Sequence, residues 1–381
     1  MIRPLRKLMK HMNSALPYRS RAAQFLDLAL HKAIINVAPS DYYHFEFYKP
    51  GKTWEEKSRY VAFAGSRYWP FENNEFKYMV TLTNKYIQKQ LLSGFDLPTP
   101  KVLATIGPAF AIRGQHEFDA FLDKVSVDIA LKPISSAGGS DVLVLSKGND
   151  VFQCAGRPYS KDQLWKHVLR RYESGFLVEE RVSNSAGIKK ISGDCLNTYR
   201  VVTIKTNDGV WHVAATSLKV GAPGSVVDNN ANGGVQINLS AEGVPYCAYD
   251  FATKESVNRL PGTSLAPEDV EFEGFREVNE LALTASHKFG FLGTVGWDIA
   301  YTDKGPMIIE GNIVWGCSSL QHGRPGIITD ALARGLNRHS MLDRWDKARL
   351  YPGYERKISR RRNKGKFVIP PGSAPSTDRA P

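Results

Sequence analysis

Two apolar segments in the last third of the sequence, residues 293–302 and 305–312, place the tightest limit on how this chain folds. They are joined by a short polar turn, and two such runs on either side of a tight turn predict an antiparallel hairpin. Because side chains alternate between the two faces of a strand, we expect Asp298, Glu310 and Asn312 to converge on one face of this hairpin.

Three oxygen-bearing side chains at one point predict a site for a hard cation such as magnesium, which binds carboxylate and amide oxygens together with phosphates. Ile299, Ile308 and Ile309 surround the two acids in the sequence, and an unpaired charge among apolar side chains is energetically expensive. The alternative is structural: Asp298 caps a turn and Glu310 forms a surface ion pair.

A lysine within an apolar strand is the second candidate. Lys132 immediately precedes the Ser/Gly-rich segment 135–140, and another apolar run follows at 141–146. Two strands joined by a glycine loop predict a hairpin flap, in which Lys132 and backbone N–H groups reach phosphate oxygens. The alternative is that Lys132 extends from a strand edge into solvent. Lys85, on a helix predicted over 73–92, is a less specific companion.

The rest of the chain alternates between strand-like and helix-like patterns. Turn signals at 208–209 separate two strands that predict a second hairpin. The mixture of helices with antiparallel strands predicts an α+β fold. Further strands are predicted at 101–106, 175–182, 197–206 and 210–221, and further helices at 118–125, 162–174 and 271–290.

Several common nucleotide-binding and catalytic motifs do not occur in the sequence. Residues 49–53 (KPGKT) match the end of a phosphate-binding P-loop, but that motif requires glycine where Glu46 stands. GxGxxG, HExxH, GxSxG, HRD and DFG are all absent from the sequence, which disfavours Rossmann enzymes, zinc proteases, serine hydrolases and kinases. The four cysteines form no CxxC, which favours buried thiols, Cys317 included, over a zinc site or disulfides.

The net charge of +12 is concentrated at the two ends of the chain. Residues 1–35 carry +6 and residues 356–366 carry +7, whereas residues 36–355 sum to −1. This distribution predicts a near-neutral body whose basic termini make peripheral contact with an acidic membrane or partner. Nucleic acid is disfavoured, because no aromatic binding platform accompanies the charge. With no membrane-span or signal-peptide pattern, we expect a cytoplasmic protein, in part peripheral to the membrane.

Taken in order, the candidate residues between 85 and 316 resemble the ATP-grasp ligases, most of all the sugar-transfer-associated ATP-grasp family. That family combines a lysine, a second lysine before a glycine flap, an acidic hinge strand, an arginine, and an Asp followed by Glu-x-Asn. The resemblance implies an ATP-grasp fold, in which two α/β lobes clasp ATP behind an N-terminal helical and mixed lobe. The implied domains are an N-terminal lobe at 1–98, a first lobe with the flap at 99–182, a second lobe with the metal site at 183–345, and a basic, Pro-rich, disordered tail at 346–381.

The resemblance also implies a role for each candidate residue. Arg200 and Lys219 would be catalytic, close to the transferred phosphoryl group, and Asp298, Glu310 and Asn312 would hold magnesium or, alternatively, manganese. The ATP-binding residues would be Lys85, Lys132, Ser135, Ser136, Gly138, Gly139, Glu179, Glu180, Arg181 and Val182. The residues that contact the acceptor would be Asn229, Asn230, Gly233 and Gly234, although their segment has the composition of an ordinary turn.

The activity that the resemblance implies is an ATP- and magnesium-dependent ligation. A small-molecule carboxylate would be joined to an amine through an acyl phosphate, with release of ADP and phosphate. Two alternatives stay open. One is phosphorylation of a hydroxyl, or another ATP-dependent transfer, in polysaccharide or secondary-metabolite biosynthesis. The other is a non-catalytic nucleotide-binding accessory.

Overall fold

The chain divides into two compact units, Met1–Gly335 and Leu336–Pro381. In this computed structural model every described residue belongs to the first unit, and the tail expected at 346–381 lies outside the described residues. The described residues are 20–35, 37, 39–61, 73–135, 141–148, 151–154, 156–222, 224–225, 228, 233–253, 255–329 and 332.

Two antiparallel sheets form the centre of the described fold. The strands of the first sheet are β1 (Val102–Ile106), β2 (Ile129–Pro133), β3 (Leu143–Lys147), β4 (Phe152–Cys154), β5 (Arg157–Tyr159) and β6 (Phe176–Glu180). Those of the second are β7 (Thr198–Lys205), β8 (Trp211–Val220), β9 (Val235–Leu239), β10 (Pro245–Asp250), β11 (Ser256–Val257), β12 (Thr294–Thr302) and β13 (Gly305–Asn312). Within the described residues the strand orders are β1-β6-β2-β3-β4-β5 and β11-β10-β9-β8-β7-β12-β13.

Helices precede, connect and cover these sheets, which confirms the predicted α+β class. They are α1 (Arg21–Ile35), α2 (Pro39–His44), α3 (Trp54–Ser58), α4 (Val80–Thr83), α5 (Lys85–Gly94), α6 (Gln115–Lys124), α7 (Lys161–Leu169), α8 (Ala186–Ser192), α9 (Phe275–Lys288) and α10 (Cys317–Leu320). Short 3₁₀ turns occur at Phe76–Tyr78, Tyr172–Ser174 and Pro267–Asp269. None of the described helices is long and apolar enough to cross a bilayer.

The single helix predicted over 73–92 is wrong, because Asn84 interrupts it. Asn84 has an extended backbone (φ −104°, ψ 108°), and its side-chain oxygen accepts a hydrogen bond from the backbone N–H of Ile87 at 3.1 Å. An asparagine that bonds in this way favours a new helix start over continuation of the preceding turn. The chain therefore forms two short helices, α4 and α5, instead of one continuous helix.

The hairpin predicted around Lys132 is present in the first sheet. β2 pairs with β3, with Ile129 opposite Leu145, and the other side of β2 pairs with β6, which places Lys132 opposite Leu177. Of the glycine flap predicted at 135–140, residues 136–140 lie outside the described residues. Helices α6 and α7 bury apolar residues spaced four apart, the spacing that puts both on one helix face. These residues are Phe118, Leu122, Leu164 and Val168.

The second sheet has one apolar and one polar face, as alternation along half-buried antiparallel strands dictates. Its apolar face packs on α9, and Trp297 is the largest fully buried side chain of the described residues. The indole Nε1 of Trp297 donates a hydrogen bond to Ser286 Oγ at 2.9 Å. This contact ties the middle of β12 to the helix that covers it.

The N-terminal part of the chain packs on the segment that follows β13. The backbone carbonyl of Val61 accepts hydrogen bonds from Cys317 Sγ at 3.0 Å and from Gln321 Nε2 at 2.9 Å. Tyr42, Phe45, Phe47 and neighbouring aromatic rings form a separate buried cluster beside this contact. Cys317 is 1% exposed, so its thiol is a buried structural group, as predicted.

Replacing Trp297 with alanine tests whether β12 depends on this packing. A fully buried aromatic residue leaves a large cavity, so we expect Trp297→Ala to lower the free energy of unfolding by about 3–5 kcal/mol. Urea unfolding followed by circular dichroism measures the change. Val210, which is 48% exposed, provides the control, since Val210→Ala should change stability by less than about 0.5 kcal/mol. Similar losses in both variants would contradict the prediction.

Candidate functional site

A β-bulge brings the three predicted metal ligands together. Residues 299–302 pair regularly with 305–308, but Asp298 pairs with Glu310, so Ile309 is an extra residue in β13. Without this bulge Asp298 would face Ile309, and Glu310 would lie on the opposite face of the sheet.

The three side chains meet at short range. Asn312 Nδ2 lies 3.3 Å from Asp298 Oδ2 and 3.4 Å from Glu310 Oε1. Within the described residues no three His, Cys, Asp or Glu side chains form a group that could hold a metal, so a metal set here must include the Asn312 amide. The predicted convergence is confirmed, whereas metal binding stays a prediction.

Asp298 is 3% exposed and is held by two cations from the neighbouring strands. Arg200, directly opposite on β7, donates from Nε to Oδ1 at 2.5 Å and from Nη2 to Oδ2 at 2.9 Å. Lys219 Nζ lies 3.0 Å from Oδ2. Burial favours the neutral acid, but the charges of Arg200 and Lys219 outweigh it and lower the pKa of Asp298 to about 2. The carboxylate is therefore ionised at neutral pH.

A second carboxylate, Asp228, completes this cluster. Its Oδ2 lies 3.8 Å from Lys219 Nζ and accepts hydrogen bonds from the backbone N–H of Thr198 at 2.9 Å and from the Thr198 hydroxyl at 2.5 Å. Burial raises the pKa of Asp228, although the Lys219 charge opposes the shift. Lys219 is thus fixed between two acids, with its own side chain almost fully buried.

Helix α5 and the chain that follows it hold β13 in place. The Gln88 side chain donates to the carbonyl of Gly311 at 2.8 Å and accepts from the N–H of Gly311 at 3.2 Å. Lys89 Nζ donates to the carbonyl of Ile309 at 2.9 Å, and the N–H of Ile308 donates to the carbonyl of Pro98 at 2.8 Å. The strand that carries Glu310 and Asn312 is therefore paired on both sides.

One buried carboxylate connects this helix to the hairpin of Lys132. Glu179 on β6 is fully buried, with Oε2 2.6 Å from Lys132 Nζ and Oε1 3.2 Å from Lys89 Nζ. Burial alone would raise the pKa of Glu179, but the two lysines reverse the shift and lower it. Burial lowers the pKa of Lys89 to about 8, against the attraction of Glu179. The cluster holds two ammonium groups and one carboxylate.

The other residues assigned from the resemblance occupy different surroundings. Lys85 Nζ lies 3.6 Å from Glu310 Oε2, so it borders the metal-ligand set. At the predicted hinge, the N–H of Glu180 donates to the carbonyl of Lys101 at 3.0 Å and the N–H of Arg181 to that of Asp128 at 2.9 Å. Val182, Ser135, Gly233 and Gly234 are among the described residues, whereas Ser136, Gly138, Gly139, Asn229 and Asn230 lie outside them.

A row of polar side chains extends from the three convergent residues across the second sheet. Neighbouring strands place Asp298 opposite Arg200, Arg200 opposite Ser217, and Ser217 opposite Asn238. Gln236 Nε2 donates to Asn238 Oδ1 at 2.8 Å, two positions along β9 and on the same face of the strand. The polar face is therefore continuous over β13, β12, β7, β8 and β9.

Reasoning from the sequence missed three residues of this region: Gln88, Lys89 and Asp228. Lys89 follows Lys85 by four positions, so the helical spacing alone places both on one face of α5, and this signal was available. Asp228 precedes the two asparagines of the predicted acceptor loop. Its ion pair with Lys219, nine positions earlier, follows no helical or strand repeat in the sequence.

Comparison with known families identifies one match. The sequence model of the family described as sugar-transfer associated ATP-grasp matches residues 65–330 of this chain. The match includes both sheets and every site residue named above. A search of curated proteins found no match.

Solved structures show weaker likeness. The L-amino acid ligase from Bacillus licheniformis is 16% identical, with a TM-score of 0.39 over 65% of this chain and 44% of its own. The D-alanine-D-alanine ligase from Coxiella burnetii is 13% identical, with a TM-score of 0.37 over 72% and 62%. Carboxyaminoimidazole ribonucleotide synthase from Aspergillus clavatus, complexed with ATP, is 14% identical, with a TM-score of 0.40 over 68% and 55%. The chain thus spans less than two thirds of each, and overlap at this level does not define a substrate.

Because of the charge balance around Glu179, two substitutions in this cluster should lower the free energy of unfolding by different amounts. Glu179→Gln leaves two buried ammonium groups without a counter-charge and should lower the free energy of unfolding by about 3–5 kcal/mol. Lys89→Met leaves Glu179 paired with Lys132 and fills the same space, so its loss should be less than half as large. Urea unfolding of both variants gives the comparison, and an equal or reversed order would contradict this account.

The pKa of Lys89 also predicts how stability changes with pH. The folded chain releases this proton near pH 8, whereas an unperturbed lysine retains it to about 10.5. Between these values the unfolded chain binds more protons, so the contribution of Lys89 to stability rises with pH. The stability of the wild type relative to Lys89→Met should therefore increase across this window. The midpoints of urea unfolding at several pH values measure this difference in stability between the wild type and Lys89→Met. A difference that stays constant or falls with pH would refute the prediction.

Proposed function

Because this chain belongs to the sugar-transfer associated ATP-grasp family, we propose that it is an ATP-dependent ligase that joins a small-molecule carboxylate to an amine through an acyl phosphate. The observation that carries the proposal is the convergence of Asp298, Glu310 and Asn312 beside Lys85, with Lys132 at the base of a hairpin. This combination suits a polyanionic nucleotide and its metal ion.

The donor set fits a hard divalent cation. Two carboxylates and one carboxamide provide the oxygen ligands that magnesium and manganese bind, and both carboxylates lie within 3.4 Å of the amide. We propose that Asp298, Glu310 and Asn312 hold the ion, with magnesium preferred. When bound, such an ion neutralises charge on the phosphate oxygens during transfer.

The cations of the site have separate tasks in this proposal. Lys132 and Lys85 bind phosphate oxygens together with Ser135, Ser136, Gly138 and Gly139, and residues 179–182 flank the base. Arg200 and Lys219 keep Asp298 ionised and oriented. The planar guanidinium of Arg200, which also donates to the carbonyl of Trp315 at 3.0 Å, is held rigidly for electrostatic stabilisation of the phosphoryl group.

The proposed reaction has two steps. A carboxylate oxygen of the first substrate attacks the γ-phosphorus of ATP, the bond from this phosphorus to the bridging oxygen breaks, and ADP leaves, which gives an acyl phosphate. The amine nitrogen of the second substrate then attacks the acyl carbon. Phosphate leaves, the nitrogen loses a proton to water, and an amide results.

The acceptor is proposed to bind beside the polar row that starts at Asp298. Ser217, Gln236 and Asn238 continue this row but are buried, and Asn238 Nδ2 donates to the carbonyl of Ser319 at 2.8 Å. They therefore support the sheet and leave recognition of the acceptor to other residues. Gly233 and Gly234 directly precede β9, and we propose that they contact the acceptor together with Asn229 and Asn230.

Glu310→Gln is the sharpest single test of the metal site. The side chain of Glu310 is 30% exposed, so its loss should spare the fold, whereas Asp298→Asn would remove the counter-charge of Arg200 in the interior. We expect Glu310→Gln to reduce ADP formation at least about 100-fold in an assay with magnesium and a panel of carboxylates and amines. The exposed Glu242 supplies the matched control, Glu242→Gln, which should retain activity. Near-normal turnover of Glu310→Gln would exclude the assignment.

Hydroxylamine separates ligation from phosphorylation of a hydroxyl. It attacks an acyl phosphate to give a stable hydroxamate, whereas a phosphate ester does not react in this way. With ATP, magnesium and an active carboxylate, we expect hydroxamate formation that is stoichiometric with ADP and lost in Glu310→Gln. ADP formation without hydroxamate, together with a phosphorylated product by mass, would replace the ligase proposal with a kinase activity.

A further inference from the structure

Helix α1 is amphipathic in the unusual sense that its apolar side faces outward. Phe25 is 54% exposed, Leu26 is 64% exposed and Leu30 is 51% exposed. Ala22 and Ala29 are also exposed. The positions 22, 25, 26, 29 and 30 follow the helical repeat, so they form one continuous outer stripe.

Two polar residues of α1, Gln24 and His31, face the protein. Gln24 is 2% exposed and His31 is fully buried. The Tyr42 hydroxyl donates to Asp27 Oδ2, and His31 Nδ1 lies 3.5 Å from Asp27 Oδ1. Since the one acidic group of the helix is engaged on the inner side, the outer stripe carries no negative charge from α1.

A cationic residue borders this stripe. Lys32 is exposed and lies three positions after Ala29, at the edge of the stripe. The sequence up to residue 35 has a net charge of +6, with Asp27 as its single acid. An exposed stripe with Phe and Leu in a strongly basic segment has the composition of helices that lie in the interface of acidic membranes.

We propose that the outer face of α1 binds the surface of a bilayer that contains acidic lipids. Phe25, Leu26 and Leu30 enter the boundary between headgroups and acyl chains, Lys32 lies at the level of the lipid phosphates and carboxylates, and the net charge of +6 in residues 1–35 attracts the chain to the acidic surface. The helix lies along the surface, and its inner side keeps its contacts with Tyr42 and the aromatic cluster. This inference is independent of the proposed ligase activity.

Vesicle co-sedimentation of the full-length chain tests the proposal. The test variant carries Phe25→Ser, Leu26→Gln and Leu30→Gln together. The control variant carries Leu169→Gln, Val210→Ser and Val244→Ser, which remove three other side chains that are 51%, 48% and 60% exposed. Each protein is mixed with vesicles of phosphatidylcholine alone and with vesicles that also contain phosphatidylglycerol, at low and high salt.

We expect the wild type and the control variant to bind the acidic vesicles, and the α1 variant to bind at least about tenfold more weakly. Salt should weaken binding of the wild type, because exposed charges are screened. Absence of wild-type binding, equal binding by the α1 variant, equal weakening of both variants, or equal binding to neutral vesicles would each overturn the proposal.

Light scattering without lipid tests the alternative that a second copy of the chain binds this stripe. A wild-type dimer that becomes monomeric only in the α1 variant, without any vesicle binding, would assign the stripe to self-association and overturn the membrane proposal. Thermal unfolding checks that the variants remain folded. Should the triple variant unfold, Leu26→Gln alone must still weaken vesicle binding severalfold, and unchanged binding would refute the proposal.

Discussion

The burial of one carboxylate, Asp298, in the second sheet determines which side chains can surround it and how the neighbouring strands are aligned. A charge in this position is tolerable only if cations face it at hydrogen-bond distance, and Arg200 and Lys219 on the next two strands meet that requirement. The strand register is fixed as a result, because a shift by one residue would turn each of these charges to the apolar face. The charged groups are thus in place before any ligand arrives, and reorganisation during a reaction is small.

The same principle explains why a basic chain has a nearly balanced site. Two groups of charges, one around Asp298 and one around Glu179, place each cation against an acid. The nine residues are Lys85, Lys89, Lys132, Arg200, Lys219, Glu179, Asp228, Asp298 and Glu310, five cations and four carboxylates. In the proposed function, attraction of a polyanionic nucleotide therefore depends on the placement of individual ammonium groups and not on the overall charge of +12.

Local patterns in the sequence were sufficient for the hairpins, for the α+β class and for placing Glu310 and Asn312 on one face of β13. They were insufficient for features that depend on tertiary contacts or on hydrogen bonds of single side chains. If the alternation of side chains along β13 is counted without the bulge, Glu310 is assigned to the wrong face of the sheet. The sequence does not indicate the bulge, because Ile309 is apolar like its neighbours. The interruption at Asn84 arises from a side-chain hydrogen bond that competes with helical periodicity. The partnership of Lys89 with Glu179 joins residues ninety positions apart, and only tertiary packing creates it.

The covered edge strand β13 affects how readily strands of other chains can pair with the second sheet. A strand at the edge of a sheet normally offers a row of unsatisfied backbone groups onto which a foreign strand can add. Here the Gln88 amide satisfies both groups of Gly311 much as a neighbouring strand would, and Pro98 and Lys89 bond to the N–H of Ile308 and the carbonyl of Ile309. The opposite edge, β11, is two residues long. Neither end of the described sheet is therefore a template for strand addition, which protects a long antiparallel sheet from aggregation.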